Sequence, residues 1–274
     1  MKVFISADME GATGVTSWDD VNAEKPPYQR FRRLLTGDVN AAIEGAIEAG
    51  ATEVLVNEAH STMRNILLEE LNPAARMISG FHGKRLGMME GVDGSFDAAF
   101  LVGYHARAGT DAAILNHTFF LSIHNLWING VLVGETGLSA ALAGHYGVPI
   151  VLVAGDDKVG REARQLLGTV ETAEVKEAIS RYSASCLTPK ESGERIKEAA
   201  KRALALDAEP YKPEPPVRFE VEFTSPDMAS LASTVPGVVR EGTRRISYTA
   251  EDVLKCWSVV FPSMLLATTA EPRP

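Results

Sequence analysis

The chain has 274 residues, of which 45% are hydrophobic and 23% charged, so it can bury an ordinary globular core. Its 27 Lys and Arg against 36 Asp and Glu leave a formal net charge of −9, which speaks against a nucleic-acid or anionic-membrane partner. The N-terminus has no secretory h-region, no stretch approaches the roughly 20 apolar residues of a membrane span, and Cys186 and Cys256 form no Cys-x-x-Cys pattern; the expectation is a cytoplasmic protein with two buried core thiols.

The first apolar run, Lys2–Ala7, reads as a strand and leads into Asp8-Met9-Glu10-Gly11. A loop with Gly11, Gly14, Trp18 and Pro26-Pro27 follows. From Tyr28 to Ala49, Phe31, Leu34, Leu35, Ala42, Ile43, Ala46 and Ile47 keep helical spacing, and Gly50 sits where a left-handed cap belongs. The run Glu53–Asn57 then completes a βαβ unit, so its strand is expected parallel to the first. Leu67–Leu71 predicts a short helix stopped by Pro73, Met77–Gly80 a short strand, and Ala98–Gly103 a third strong strand. Thr118–Ile128 and Val131–Val133 flank Asn129-Gly130, the preferred dipeptide of a two-residue hairpin turn.

Glu135 opens a helix that Gly147 closes, Pro149–Gly155 is a fourth buried-type strand, and Asp156-Asp157 leads into a helix from Val159 to Leu167. Val170–Leu187 suits a strand by position and a helix by composition. Lys190–Leu206 is an amphipathic helix, and Glu209–Pro216 is a stiff proline-rich arm. Phe219, Val221 and Phe223 alternate with charges, Ile246 and Tyr248 mark another strand, and Ala250–Ala267 closes the chain as a helix. This order predicts an α/β fold: a doubly wound, mostly parallel sheet in residues 1–169, with a smaller α+β part in residues 170–274.

In such sheets ligands bind at the carboxyl ends of the strands. Three strand ends here carry groups able to bind metal: Asp8 and Glu10, His60, and His105. Taken singly, each has an ordinary reading, as a turn, a cap or a hydrogen-bonded loop histidine. Together they are a carboxylate and imidazole set suited to zinc. Glu135 is a further carboxylate, although its helix-start position alone is explained by the helix dipole. Asp8, Glu10, His60, His105 and Glu135 are too many for one catalytic zinc; with one bridging carboxylate they provide three ligands for each of two ions.

His117 follows His105 closely and, if it binds no metal, is suited to act as general acid, base or nucleophile. The other histidines have plainer expectations: His145 in the core, His124 in a strand, His82 in a loop. Asp156-Asp157 is expected to cap the next helix. Arg107 is the only obvious cation beside a ligand motif. These features leave three functions open: a binuclear hydrolase of peptides, a binuclear phosphoesterase, and a non-catalytic metal- or peptide-binding module.

The segments Asp8-Met9-Glu10-Gly11, Val54-Leu55-Val56-Asn57, His60-Ser61, Ile78-Ser79-Gly80, Gly103-Tyr104-His105-Ala106-Arg107-Ala108, Val133-Gly134-Glu135 and Val153-Ala154-Gly155-Asp156-Asp157 resemble the zinc-dependent D-aminopeptidases associated with bacterial dipeptide-transport operons. The similarity runs over essentially the whole chain. It implies a metallo-aminopeptidase that releases N-terminal, D-configured residues from short peptides, with two Zn2+ per chain. Asp8 matches the bridging ligand, Glu10 and Glu135 the ligands of one ion, His60 and His105 those of the other, and His117 the catalytic histidine, described as a nucleophile. The resemblance also implies a ring-stacked homodecamer with its sites facing an internal channel.

Overall fold

The computed structural model describes residues 1–81 and 86–270. In chain order, β1 (Lys2–Ala7) leads to a short helix α1 (Trp18–Val21), capped by Ser17, and a long helix α2 (Tyr28–Glu48). Then come β2 (Glu53–Glu58), a 3-10 turn at Leu68–Glu70, β3 (Ala75–Ile78) and β4 (Ala98–Tyr104). The hairpin β5 (Ile123–Ile128) and β6 (Val131–Val133) precedes α3 (Glu135–His145), β7 (Ile150–Asp156) and α4 (Asp157–Leu167). The chain ends with β8 (Glu171–Ser180), β9 (Ser183–Cys186), α5 (Pro189–Ala203), β10 (Val217–Phe223), α6 (Pro226–Ala232), β11 (Val239–Arg240), β12 (Arg245–Ala250) and α7 (Val253–Ala267).

The large sheet has the order β3-β2-β1-β4-β7-β8-β9, parallel throughout except for the final β8–β9 pair. Alternate residues of β1 point to opposite faces. Val3, Ile5 and Ala7 join a core with α2 and α5, while Phe4 joins a core with α3, α7 and the small sheet. Both faces are therefore covered, as a parallel sheet requires. The strand order reverses between β1 and β4. That topological switch opens a crevice at the carboxyl edge, and Asp8 and His105 stand on its two sides.

The small sheet is antiparallel, with the order β11-β12-β10-β5-β6. Asn129 (φ 49°) and Gly130 (φ 80°) make the expected hairpin turn between β5 and β6. Val217, Phe219, Val221 and Phe223 face the core from β10. The two sheets do not divide at residue 170: β8 and β9 extend the large sheet, and the earlier β5–β6 hairpin belongs to the small one. Val170–Leu187 resolves into the β8–β9 hairpin because β8 pairs with β7 and buries Ala173, Val175 and Ala178.

Other expectations are corrected. The strand before Asn129 begins at Ile123 rather than Thr118, because Phe119 has a left-handed backbone (φ 57°) that breaks extension. His145, in the last turn of α3, is exposed rather than in the core, and Cys186 is exposed at the end of edge strand β9. His82 lies outside the described residues. None of the described helices is long and apolar enough to cross a membrane.

Candidate metal centre

The loop after β1 is anchored on three sides. The Asp8 amide donates to Val102 O and the Gly11 amide to Gly103 O, both at 2.8 Å, which docks the loop on β4. Asp38 of α2 accepts from the Thr13 amide at 2.8 Å and the Thr13 hydroxyl at 2.7 Å. Lys176 of β8, only 2% exposed, reaches the loop from below and donates to Glu10 O, Ala12 O and Val15 O at 2.8, 2.8 and 2.7 Å. Burial pushes the Asp38 carboxyl up to about 6 and the Lys176 ammonium down to about 8.

His60 is held by a buried carboxylate. Glu58 accepts from the Asn65 amide, the Asn65 side chain and the Ile66 amide. Asn65 in turn donates to His60 O at 2.8 Å and accepts from the Tyr28 hydroxyl at 2.8 Å. On the other side of the crevice, Glu135 is the first residue of α3, and its Oε1 accepts from the Phe119 amide at 2.7 Å. The His117 loop is clamped by the β8–β9 turn. Arg181 donates from its guanidinium to Asn116 O at 2.8 Å and accepts from the Leu115 amide at 3.0 Å. Left-handed backbone at non-glycine positions gathers beside the two loop histidines, at Ser61, Met63, Leu115 and Phe119. Such strain persists only where surrounding contacts over-determine it.

The six residues singled out in the sequence come together. His60 Nδ1 lies 2.9 Å from Glu10 Oε2 and 3.4 Å from Asp8 Oδ1. His105 Nε2 lies 3.4 Å from Asp8 Oδ2 and 3.4 Å from Glu135 Oε2. His117 stacks on His105 with ring centroids 4.1 Å apart and planes 9° apart. Its Nε2 is 3.9 Å from Glu10 Oε1 and 3.8 Å from Glu135 Oε1. Trp18 meets the His117 ring edge-on at 5.4 Å. Asp156 stands apart and caps α4 through Lys158 and Val159, as expected.

The donor set fits a cation. Each histidine has one ring nitrogen on a backbone carbonyl: His60 Nε2 on Val21 O at 3.0 Å, His105 Nδ1 on Ala106 O at 3.0 Å, and His117 Nδ1 on Leu115 O at 2.9 Å. A carbonyl only accepts, so those nitrogens carry the hydrogens. In the neutral rings the other nitrogen presents a lone pair, the arrangement that second-shell carbonyls impose on metal-binding histidines. Those lone pairs face carboxylates, a repulsive pairing unless positive charge lies between them. Asp8 Oδ2 and His105 Nε2 are buried and make no hydrogen bond.

The titration of the groups reflects the same demand for positive charge. Burial, and then the neighbouring Glu10 charge, pushes Asp8 up to about 7. Burial alone would lower His60, but the Glu10 and Asp8 carboxylates raise it well above the usual histidine value. Glu135 and Asp8 do the same to His105 against its burial. His117 moves the other way: burial and the charge on His105 hold it below the usual value.

The cluster lines a cavity of about 1130 Å³. Phe119, Phe120, Met228, Phe261 and Leu265 supply apolar wall, and no Lys or Arg appears among the described lining residues. Such a wall suits amino-acid side chains. His117 also falls within ligand range, since His105, His117 and Glu135 present donor atoms within 4.8 Å of one another, as do Asp8, Glu10 and His105. The supporting residues Lys176, Arg181, Glu58 and Asn65 were not singled out in the sequence. Their partners are backbone groups, or residues brought near by loop geometry that spacing does not encode.

Known proteins match this chain over nearly its whole length. Residues 1–261 match the model of the peptidase M55 family, described as D-aminopeptidase. A curated D-aminopeptidase of Bacillus subtilis (strain 168) is 39% identical over 272 residues, covering 97% of this chain and 98% of the relative. The solved structure of the Zn-dependent D-aminopeptidase DppA from Bacillus subtilis, a self-compartmentalizing protease, superposes with a TM-score of 0.95 at 37% identity, covering 98% of each chain. The fold, the clustered carboxylates and imidazoles, and these matches over nearly the full length together make this chain a member of the peptidase M55 family of D-aminopeptidases.

Proposed function

We propose that this enzyme releases N-terminal D-amino acids from short peptides at a centre of two zinc ions held by Asp8, Glu10, His60, His105 and Glu135. The observation that carries this reading is the spacing of the donors. Tetrahedral zinc with bonds of about 2.0–2.2 Å to nitrogen and oxygen separates its ligands by about 3.3 Å. His60 Nδ1 lies 2.9 Å from Glu10 Oε2 and 3.4 Å from Asp8 Oδ1. His105 Nε2 lies 3.4 Å from both Glu135 Oε2 and Asp8 Oδ2. Asp8 faces both histidines, one oxygen towards each, and would be the ligand the two ions share. Asp8, Glu10 and His105 also present donors within 4.8 Å of one another, and the family resemblance implies both glutamates on one ion and both histidines on the other.

Zinc bound by these groups supplies a Lewis acid for the scissile carbonyl and lowers the pKa of water. The chain itself supplies orientation and proton transfer. His117 Nε2 faces the gap between Glu10 and Glu135, while its Nδ1–H is fixed on Leu115 O. With its pKa held down, His117 is neutral near pH 7 and can accept a proton at Nε2 and return it to the leaving amine. Stacking on His105 and the edge of Trp18 keep the ring in that plane. The apolar walls exclude water around the substrate side chains. The likeness to a self-compartmentalizing protease supports a homo-oligomer, with the decamer of the resemblance as its expected form. The two free thiols are compatible with a cytoplasmic setting.

The test is metal content together with activity. Asp8→Ala is expected to lose both ions and Glu10→Ala one, measured by elemental analysis after dialysis. Two zincs retained in Asp8→Ala would remove Asp8 as the shared ligand. Zinc-loaded wild-type protein is expected to cleave alanyl peptides and leave a generic phosphate monoester intact; the opposite result would overturn the peptidase reading.

A further inference from the structure

We propose that Lys176 is a positioning residue that fixes Glu10 against His60, and so sets the metal half-site to which Glu10 belongs; this rests on the ligand reading above. Residues 9–15 form neither helix nor strand, so their carbonyls have no ladder partners. Glu10 O, Ala12 O and Val15 O nevertheless converge on one point, the Lys176 ammonium, at 2.7–2.8 Å. An ammonium has three donors and no acceptor. All three donors are used, and all three go to the loop that carries Glu10.

The sheet is shaped to deliver this side chain. The β7–β8 register slips where Gly155 faces Glu174 and Asp156 faces Lys176, so Val175 is passed over. Such a slip re-aims a side chain that regular alternation would send elsewhere. Lys176 is thereby buried beneath the centre at 2% exposure. The loop's other anchors hold its backbone N–H groups and Thr13: β4 accepts from the Asp8 and Gly11 amides, and Asp38 holds Thr13. Among the described residues, Lys176 is the group that grips the Glu10 carbonyl, while β4 holds the N–H of the same peptide. A guanidinium is planar and larger, so arginine would not reproduce three converging bonds.

The test compares Lys176→Met and Lys176→Gln with wild-type protein. Zinc affinity is measured by competition with a chromophoric chelator, alongside kcat, KM and thermal unfolding. Lys176→Met is expected to fold, to bind one zinc as wild type does and the other more weakly, and to lose kcat by roughly 100-fold, the scale of a 1 Å misplacement, with KM little changed. Lys176→Gln keeps two donors and is expected to fall between the two, with added zinc restoring part of its kcat. Both zincs bound at wild-type affinity with wild-type kcat in Lys176→Met would overturn the proposal. So would failure of both variants to fold, since that places the lysine's role in the global fold rather than in the Glu10 loop. Zinc competition needs no substrate, so a wild-type protein that binds two zincs and cleaves no peptide would refute the function while leaving this inference standing.

Discussion

Gly11→Ala tests how closely the two sides of the crevice must approach. A Cβ at Gly11 would lie 1.7 Å from Tyr104 O, 2.5 Å from Tyr104 C and 2.7 Å from Gly103 C, all backbone atoms. Moving the nearest contact to about 3.0 Å requires a shift of about 1.3 Å and breaks the hydrogen bond from the Gly11 amide to Gly103 O. Glu10 and His105 are the immediate neighbours of the clashing residues, so ligands on opposite sides of the centre are driven apart. Overpacking of this kind destabilises by about 1–3 kcal/mol, and a misplacement of about 1 Å can reduce turnover by about 100-fold. The assay is kcat/KM on an alanyl peptide with zinc content and thermal unfolding measured in parallel. Gly14→Ala is the control: its φ is +76°, but its Cβ would meet only Leu34 and Phe31 side chains at 3.6 Å. It should lose about 1 kcal/mol of stability and keep its activity. Wild-type activity and zinc in Gly11→Ala, or an equal loss in Gly14→Ala, would refute the argument.

Three further outcomes follow from the same geometry. His117→Ala should keep its zinc and lose at least roughly 100-fold in kcat, the range of general acid–base catalysis; full activity would remove His117 from the chemistry. Arg181→Met should lower kcat by roughly 10-fold, the scale of one charge-assisted hydrogen bond, without changing zinc content, because it loosens the loop of His117 and not the metal-facing residues. Asp38 has a folded pKa of about 6 against 3.8, so the folded state holds its proton more tightly and Asp38's contribution to stability falls as pH rises through that window. Asp38→Asn should therefore gain on wild type by about 2 kcal/mol between pH 4 and 6, read from denaturant unfolding; parallel pH profiles would contradict it.

Much of the site could be read from the sequence because β1, β2 and β4 are built on short apolar runs, and parallel strands deliver their ends to one edge. Asp8, Glu10, His60 and His105 were visible as strand-end residues for that reason. Glu135 and His117 were not distinguished by spacing, since one begins a helix and the other follows a left-handed turn at Leu115. Lys176 was hidden by a register slip that local pattern does not record, and that slip also blurred the alternation of residues 170–187. Gly11 looked like a turn glycine, whereas its backbone conformation is unexceptional and its need is for close approach to β4. The expected division at residue 170 missed that the β5–β6 hairpin pairs with β10, a partner about 90 residues later.

The most direct test of the central claim is hydrolysis of matched D-alanyl and L-alanyl peptides by the zinc-loaded protein, with an EDTA-treated sample alongside. The account predicts cleavage of the D-peptide, little or none of the L-peptide, and loss of activity in EDTA that added zinc restores. Equal cleavage of both peptides would contradict the stereochemistry, and activity unaffected by EDTA would contradict the metal centre itself.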